Sequence, residues 1–181
     1  MRADLADFML ANMKNSHAGP NGAGPIAGYS GAVIRADALY IATLDRNSSG
    51  RLQLRREWTR QFQLQQRTQG RLRPVYQGVR KFIRDAGIRR VLLRNTSDSR
   101  KFAASAEGYA LECALKLVPG LLVDVVHRAT IDAWSKQERY LLPYPPVGPW
   151  KWSDGFKAAI EVAAFLEARC SCPRDPEYGV S

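Results

Sequence analysis

From Gly31 to Leu64 apolar residues recur in strand patterns, and from Leu72 onward the repeat lengthens to three or four residues. This change of period constrains the fold most, because one element cannot satisfy both repeats. Gly31–Arg35 and Ala38–Leu44 read as a hairpin turning at Ala36-Asp37. After Asn47-Ser48-Ser49-Gly50, the even positions Leu52, Leu54, Arg56, Trp58, Arg60, Phe62 and Leu64 alternate with a polar odd set. That pattern predicts one long strand over 51–64, with an apolar face and with Arg56 and Arg60 at its frayed or twisted edge. Leu72, Val75, Tyr76, Val79, Phe82, Ile83 and Ala86 then space as a helix, with Pro74 near its start and Gly87 past its end. A buried strand (88–94), a helix (103–118), a strand (121–127), a short helix (131–138) and a last helix from Asp154 follow. Three meander strands followed by alternating helices and strands predict an α/β domain over 29–169, with a mixed sheet. Residues 1–28 read as a short amphipathic helix and a flexible Gly/Pro arm, and 170–181 as a C-terminal tail.

The chain of 181 residues carries a formal charge of +10, unevenly spread. Residues 46–101 hold 16 Lys and Arg against Glu57, Asp85 and Asp98, a net +13, while the remainder is −3. Fourteen of those 16 cations are Arg, whose fork binds phosphate bidentately and stacks on flat rings. The block therefore points to nucleic acid, and its structural alternative is a solvated face. The most apolar stretch, Leu115–Val126, is broken by Lys116, Pro119, Gly120 and Asp124, short of the ~20 residues a membrane span needs. The N-terminus has no secretory-signal pattern, and three cysteines make no disulfide framework, so a reducing cytoplasm is expected.

Several segments carry possible chemistry. Arg56 and Arg60 interleave with Trp58 and Phe62, as on sheets that stack bases and grip phosphates, although that face also fits a core; Arg55, a further candidate for nucleic acid, lies on the polar odd face. Asn95-Thr96-Ser97-Asp98-Ser99-Arg100-Lys101 follows a buried strand and leads into a helix, a setting that suits a phosphate. Arg94, Asn95, His127 and Arg128 fall at strand ends, where ligands of open α/β sheets collect. His127 reads first as a half-buried, hydrogen-bonded residue. Glu112 reads as a partly buried acid paired with a nearby Arg, and Cys113 as core. Gly19-Pro20-Asn21-Gly22-Ala23-Gly24 begins like a phosphate loop, but Pro25-Ile26 stand where Lys and a hydroxyl are required. Cys170-Ser171-Cys172 lacks zinc-ligand spacing, so no metal site is assigned. Tyr140–Trp152, rich in Pro and aromatics, reads as a packed lid or a protein-partner surface.

The element order resembles the ribonuclease H (RNase H) fold, here β-β-β-α-β-α-β-α with helices on both faces. Val91-Leu92-Leu93-Arg94, Lys101-Phe102-Ala103-Ala104 and Glu107-Gly108-Tyr109-Ala110-Leu111-Glu112-Cys113-Ala114-Leu115 sharpen the likeness. Val123-Asp124-Val125-Val126 and Thr130-Ile131 extend it. These strings resemble a small bacterial family of unknown function in the RuvC-like part of that superfamily. There the fourth strand ends in Ile-Arg-Glu, followed by Lys-Phe-Ala-Gly-Gly and a helix with Gly-Phe-Lys-Met-Glu-Ala-Ala. The likeness covers roughly residues 29–166 and is strongest over 91–131.

The resemblance implies two Mg²⁺ ions between carboxylates on the first strand, at the end of the fourth strand and near the last helix. Val33 and Asn95 stand at the first two positions here, and Asp154 and Glu161 remain near the third. The reading is a nucleic-acid-binding module on a catalytically degenerate RNase H-like fold, binding DNA or RNA without a cofactor. One alternative is a protein-interaction subunit. The other is a divergent Mg²⁺ nuclease using Asp37, Asp98, Glu112 or Asp154.

Overall fold

A computed structural model describes residues 28–64, 72–95, 105–137 and 153–171. Six strands and four helices alternate as the sequence periods require. They are β1 (Tyr29–Arg35), β2 (Ala38–Arg46), β3 (Leu52–Leu54), β4 (Arg60–Gln63), α1 (Leu72–Asp85), β5 (Arg90–Arg94), α2 (Ala106–Lys116), β6 (Leu122–Val126), α3 (Arg128–Gln137) and α4 (Asp154–Ser171). The sheet runs β3-β2-β1-β5-β6, with β4 also on β2. β1 is antiparallel to β2 and parallel to β5, which is parallel to β6. The sheet is therefore mixed, as expected.

β1 and β2 are buried on both faces, which is why they read as near-continuous apolar runs rather than alternating ones. One face packs Ala32, Ile34, Val91 and Leu93 under Val79, Phe82 and Ile83 of α1 and Leu111 and Leu115 of α2. The other packs Val33, Ala42, Leu92 and Val126 under Ile131 of α3 and Ala158, Ala159, Val162 and Phe165 of α4. Helices thus cover both faces. β1 lies so close to α4 that a Cβ on Gly31 would stand 2.3 Å from both Ala159 O and Ala163 N. The hairpin turns through Ala36 at φ 52°, with Arg35 paired to Ala38.

The long strand expected over 51–64 is instead two strands separated by a 3₁₀ turn at Arg56–Trp58. Leu54 pairs Leu44 and Arg60 pairs Ile41, so 55–59 stand opposite only 42 and 43. Three extra residues are an odd number, and an odd insertion exchanges the faces of everything beyond it. Leu52 and Leu54 accordingly pack toward α4, whereas Trp58, Phe62 and Leu64 pack toward α1. Arg56 and Arg60 are exposed.

Two further expectations are corrected. Cys113 is exposed, because Leu111, Ala114 and Leu115 form the inward side of α2. Glu112 is half-buried as expected, but its partner is Lys116 one helical turn on, with Nζ at 2.6 Å from Oε1. Among the described residues no helix is long and apolar enough to cross a membrane. The N-terminal arm, the Gly19–Gly24 string, Asp98, Arg100, Lys101, the Tyr140–Trp152 loop and Cys172 lie outside the described residues.

Candidate nucleic-acid interface

The parallel strands β1, β5 and β6 end on one rim. Val33 pairs Arg94 and Arg94 pairs Val126, so the residues just beyond these positions are neighbours. The backbone N–H of Asn95 donates to Val126 O at 2.8 Å and continues the ladder past β5. β6 then turns into α3 within two residues, and the His127 carbonyl accepts from Thr130 N at 3.1 Å. His127 itself is exposed rather than half-buried. Asp124, three residues before it and the nearest acid preceding it in sequence, accepts from Arg90 Nε at 2.6 Å. β4 also ends at this rim, where Leu64 N donates to Asp37 O.

Alternation places Val33, Leu92, Arg94 and Val126 on the α4 side of the sheet. Three arginines meet there from three different elements: Arg35 at the end of β1, Arg94 at the end of β5 and Arg128 at the start of α3. Arg94 is half-buried. Burial pushes its guanidinium below the usual arginine range; Arg128 and Arg35 push the same way, and Asp132 and Glu161 oppose them. Arg35 Nη1 lies 3.7 Å from Asp154 Oδ2, and Arg128 Nε lies 3.2 Å from Asp132 Oδ2. Arg35 and Arg128 thus each have an acid beside them. Such an arrangement can present guanidinium donors to an anion such as phosphate.

The expected site residues separate into groups. Arg94, Asn95, Arg128, Asp37 and Asp154 all lie at the rim. Glu112 lies further along α2, away from them. Asp37 Oδ2 accepts from Gln63 Nε2 at 3.4 Å. Arg55 is half-buried between Asp45, at 3.3 Å, and Glu57, at 2.8 Å. Arg56 and Arg60 are displayed on the surface, and the Arg60 guanidinium sits 5.6 Å from the Phe62 ring centre. The first-strand position where the resemblance implies an acid is Val33, wholly buried in an apolar cluster. Among the described residues no group of three or more His, Cys, Asp and Glu is placed to hold a metal ion.

Arg35 was missed in the sequence because a hairpin strand's last residue carries no mark of a site. The cue is its position: it ends the strand that parallels β5.

The model of a family described as proteins of unknown function, DUF3010, matches residues 29–149. The chain belongs to this family. The DUF3010 stretch runs from the first residue of β1 past the end of α3, so it contains every described strand and Arg35, Arg94 and Arg128, but not Asp154 of α4. No curated protein matches the chain. Among solved structures, this DUF3010 protein is similar to Thermus thermophilus RuvC in complex with Holliday junction substrate. The TM-score is 0.60 at 13% identity, over 78% of this chain and 95% of that one. A second Thermus thermophilus RuvC structure gives 0.55 at 11% identity, with the same shares covered. The α/β fold is therefore RuvC-like, within the RNase H-like class that the element order implied.

Proposed function

We propose that this DUF3010 protein is a nucleic-acid-binding module that grips phosphates at the rim where β1, β5 and β6 end, and that its RNase H-like fold has lost the two-metal carboxylate set. The observation that carries the reading is the convergence of Arg35, Arg94 and Arg128 on that rim. A half-buried guanidinium facing like charges gains most from an added anion. Val33 and Asn95 stand where the resemblance implies acids, and each carboxylate absent weakens a Mg²⁺ site steeply. The likeness to RuvC, solved with a junction substrate, supports nucleic acid as the ligand class.

Fluorescence anisotropy with labelled single- and double-stranded DNA and RNA at 50 and 200 mM salt tests this. Binding should be strong at low salt and fall steeply at high salt. Arg94→Gln and Arg128→Gln should each weaken it roughly tenfold, the scale of one charge-assisted hydrogen bond. No cleavage should appear with Mg²⁺. Absence of binding at 50 mM would sink the proposal. Mg²⁺-dependent cleavage abolished by Asp154→Ala would restore the nuclease reading.

A further inference from the structure

We infer that the outer face of α1 is a second binding surface, a ridge of guanidinium groups that lies along the phosphate backbone of double-stranded nucleic acid. The inference rests on the nucleic-acid reading above. It concerns residues away from the rim arginines and on the opposite side of the sheet.

α1 buries Val79, Phe82 and Ile83 against the sheet. At 100° per residue, Arg73, Gln77, Arg80 and Arg84 fall within about 60° of one another on the far side. All four are exposed. The only acid of the helix is Asp85, whose carboxyl the Lys81 ammonium foremost, and then Arg84, hold below the usual range. Lys81 Nζ is 2.5 Å from Asp85 Oδ2, and Arg84 Nε is 3.4 Å from Oδ1. Arg73 and Arg80 form no ion pair with a described residue.

Arg73 also stands in the first turn of α1, which contains no acid. That end of a helix dipole is positive and disfavours a cation. An external anion beside Arg73 would offset that cost. Along the helix axis Arg73 to Arg80 spans about 10.5 Å and Arg80 to Arg84 about 6 Å. A duplex offers a phosphate every ~3.4 Å along each strand, so a row of guanidinium forks finds partners without reading bases. A single strand is held by cations as well as by aromatic platforms. The ridge has none, because Phe82 is buried and Tyr76 turns back to donate from its hydroxyl to Leu117 O at 3.3 Å.

The test is the salt dependence of binding to a 20-base-pair DNA duplex. The variants are the triple Arg73→Gln, Arg80→Gln, Arg84→Gln and the charge-matched control Arg51→Gln, Lys136→Gln, Arg169→Gln. The ridge variant should lower the slope of log K against log salt by about 2.7, or ~0.9 for each phosphate no longer neutralised. Between 50 and 200 mM salt the wild type should then lose about 40-fold more affinity than the ridge variant. The control should keep the wild-type slope, and a 20-nucleotide thymidine strand should show the same slope with the wild type and the ridge variant. A duplex slope unchanged by the ridge substitutions, or reduced equally by the control, overturns the ridge while leaving rim binding intact. No binding of any nucleic acid by the wild type overturns both.

Discussion

At the end of β5, Arg94 brings a guanidinium into a place half closed to water and shared with Arg128 and Arg35. A base whose proton affinity is lowered on folding is destabilising while charged. At every pH below its folded value, neutrality included, this effect therefore opposes the fold, and only strong alkali removes it. A neutral side chain with a similar stem should relieve the fold. Arg94→Met should leave Tm unchanged or raise it by up to ~3 °C, under about 1 kcal/mol, while weakening nucleic-acid binding. A lower Tm in calorimetry would show that Arg94 serves structure rather than a ligand. The turn residue Ala36 tests local strain alone. Its φ of 52° is one that an L side chain adopts at a cost of about 1 kcal/mol. Ala36→Gly should therefore stabilise by up to that amount in urea denaturation, with binding unchanged.

Among the elements, the seat of β1 against α4 is the tightest approach. A methyl group at Gly31 meets backbone atoms on Ala159 and Ala163, which cannot rotate away as a side-chain tip could. α4 must lift off the sheet, and Gly31→Ala should cost about 3 kcal/mol or more, read as a fall in the denaturation midpoint. The same element scale shows what the sequence made legible. α1 and β5 were readable because period, Pro74 and Gly87 agreed, and each element has one buried side or two. The break at Arg56–Trp58 was not, because even-numbered apolar residues continue through it and only pairing with β2 reveals the three extra residues. Alternation reports that a residue is inward without naming the face. The site followed the same logic. Arg94 and Arg128 were visible as strand-end residues, whereas Arg73, Arg80 and Arg84 were counted as charge until a helix axis aligned them.

Over the whole molecule, the +13 of residues 46–101 separates into charges spent on the fold and charges displayed. Arg46 is locked to the nearly buried Glu167 of α4, its Nε donating to Oε1 at 2.8 Å, and Arg55 and Arg90 are held by acids on the sheet. Arg56, Arg60, Arg73, Arg80 and Arg89 are exposed. A ligand that binds these displayed cations and the rim must stabilise the folded state by mass action. A duplex at 100 times its Kd adds ~2.7 kcal/mol, which for a domain of this size raises Tm by roughly 5–10 °C. Millimolar Mg²⁺ should produce no comparable shift, because Val33 and Asn95 stand at two of the positions where the resemblance implies carboxylates, and Asp154 lies beside Arg35. Thermal denaturation with each ligand therefore separates the two functions that an RNase H-like fold can hold. A rise with duplex alone fits binding without a metal centre. A rise with Mg²⁺ that Asp154→Ala removes would place a metal where the arginines now meet the acids.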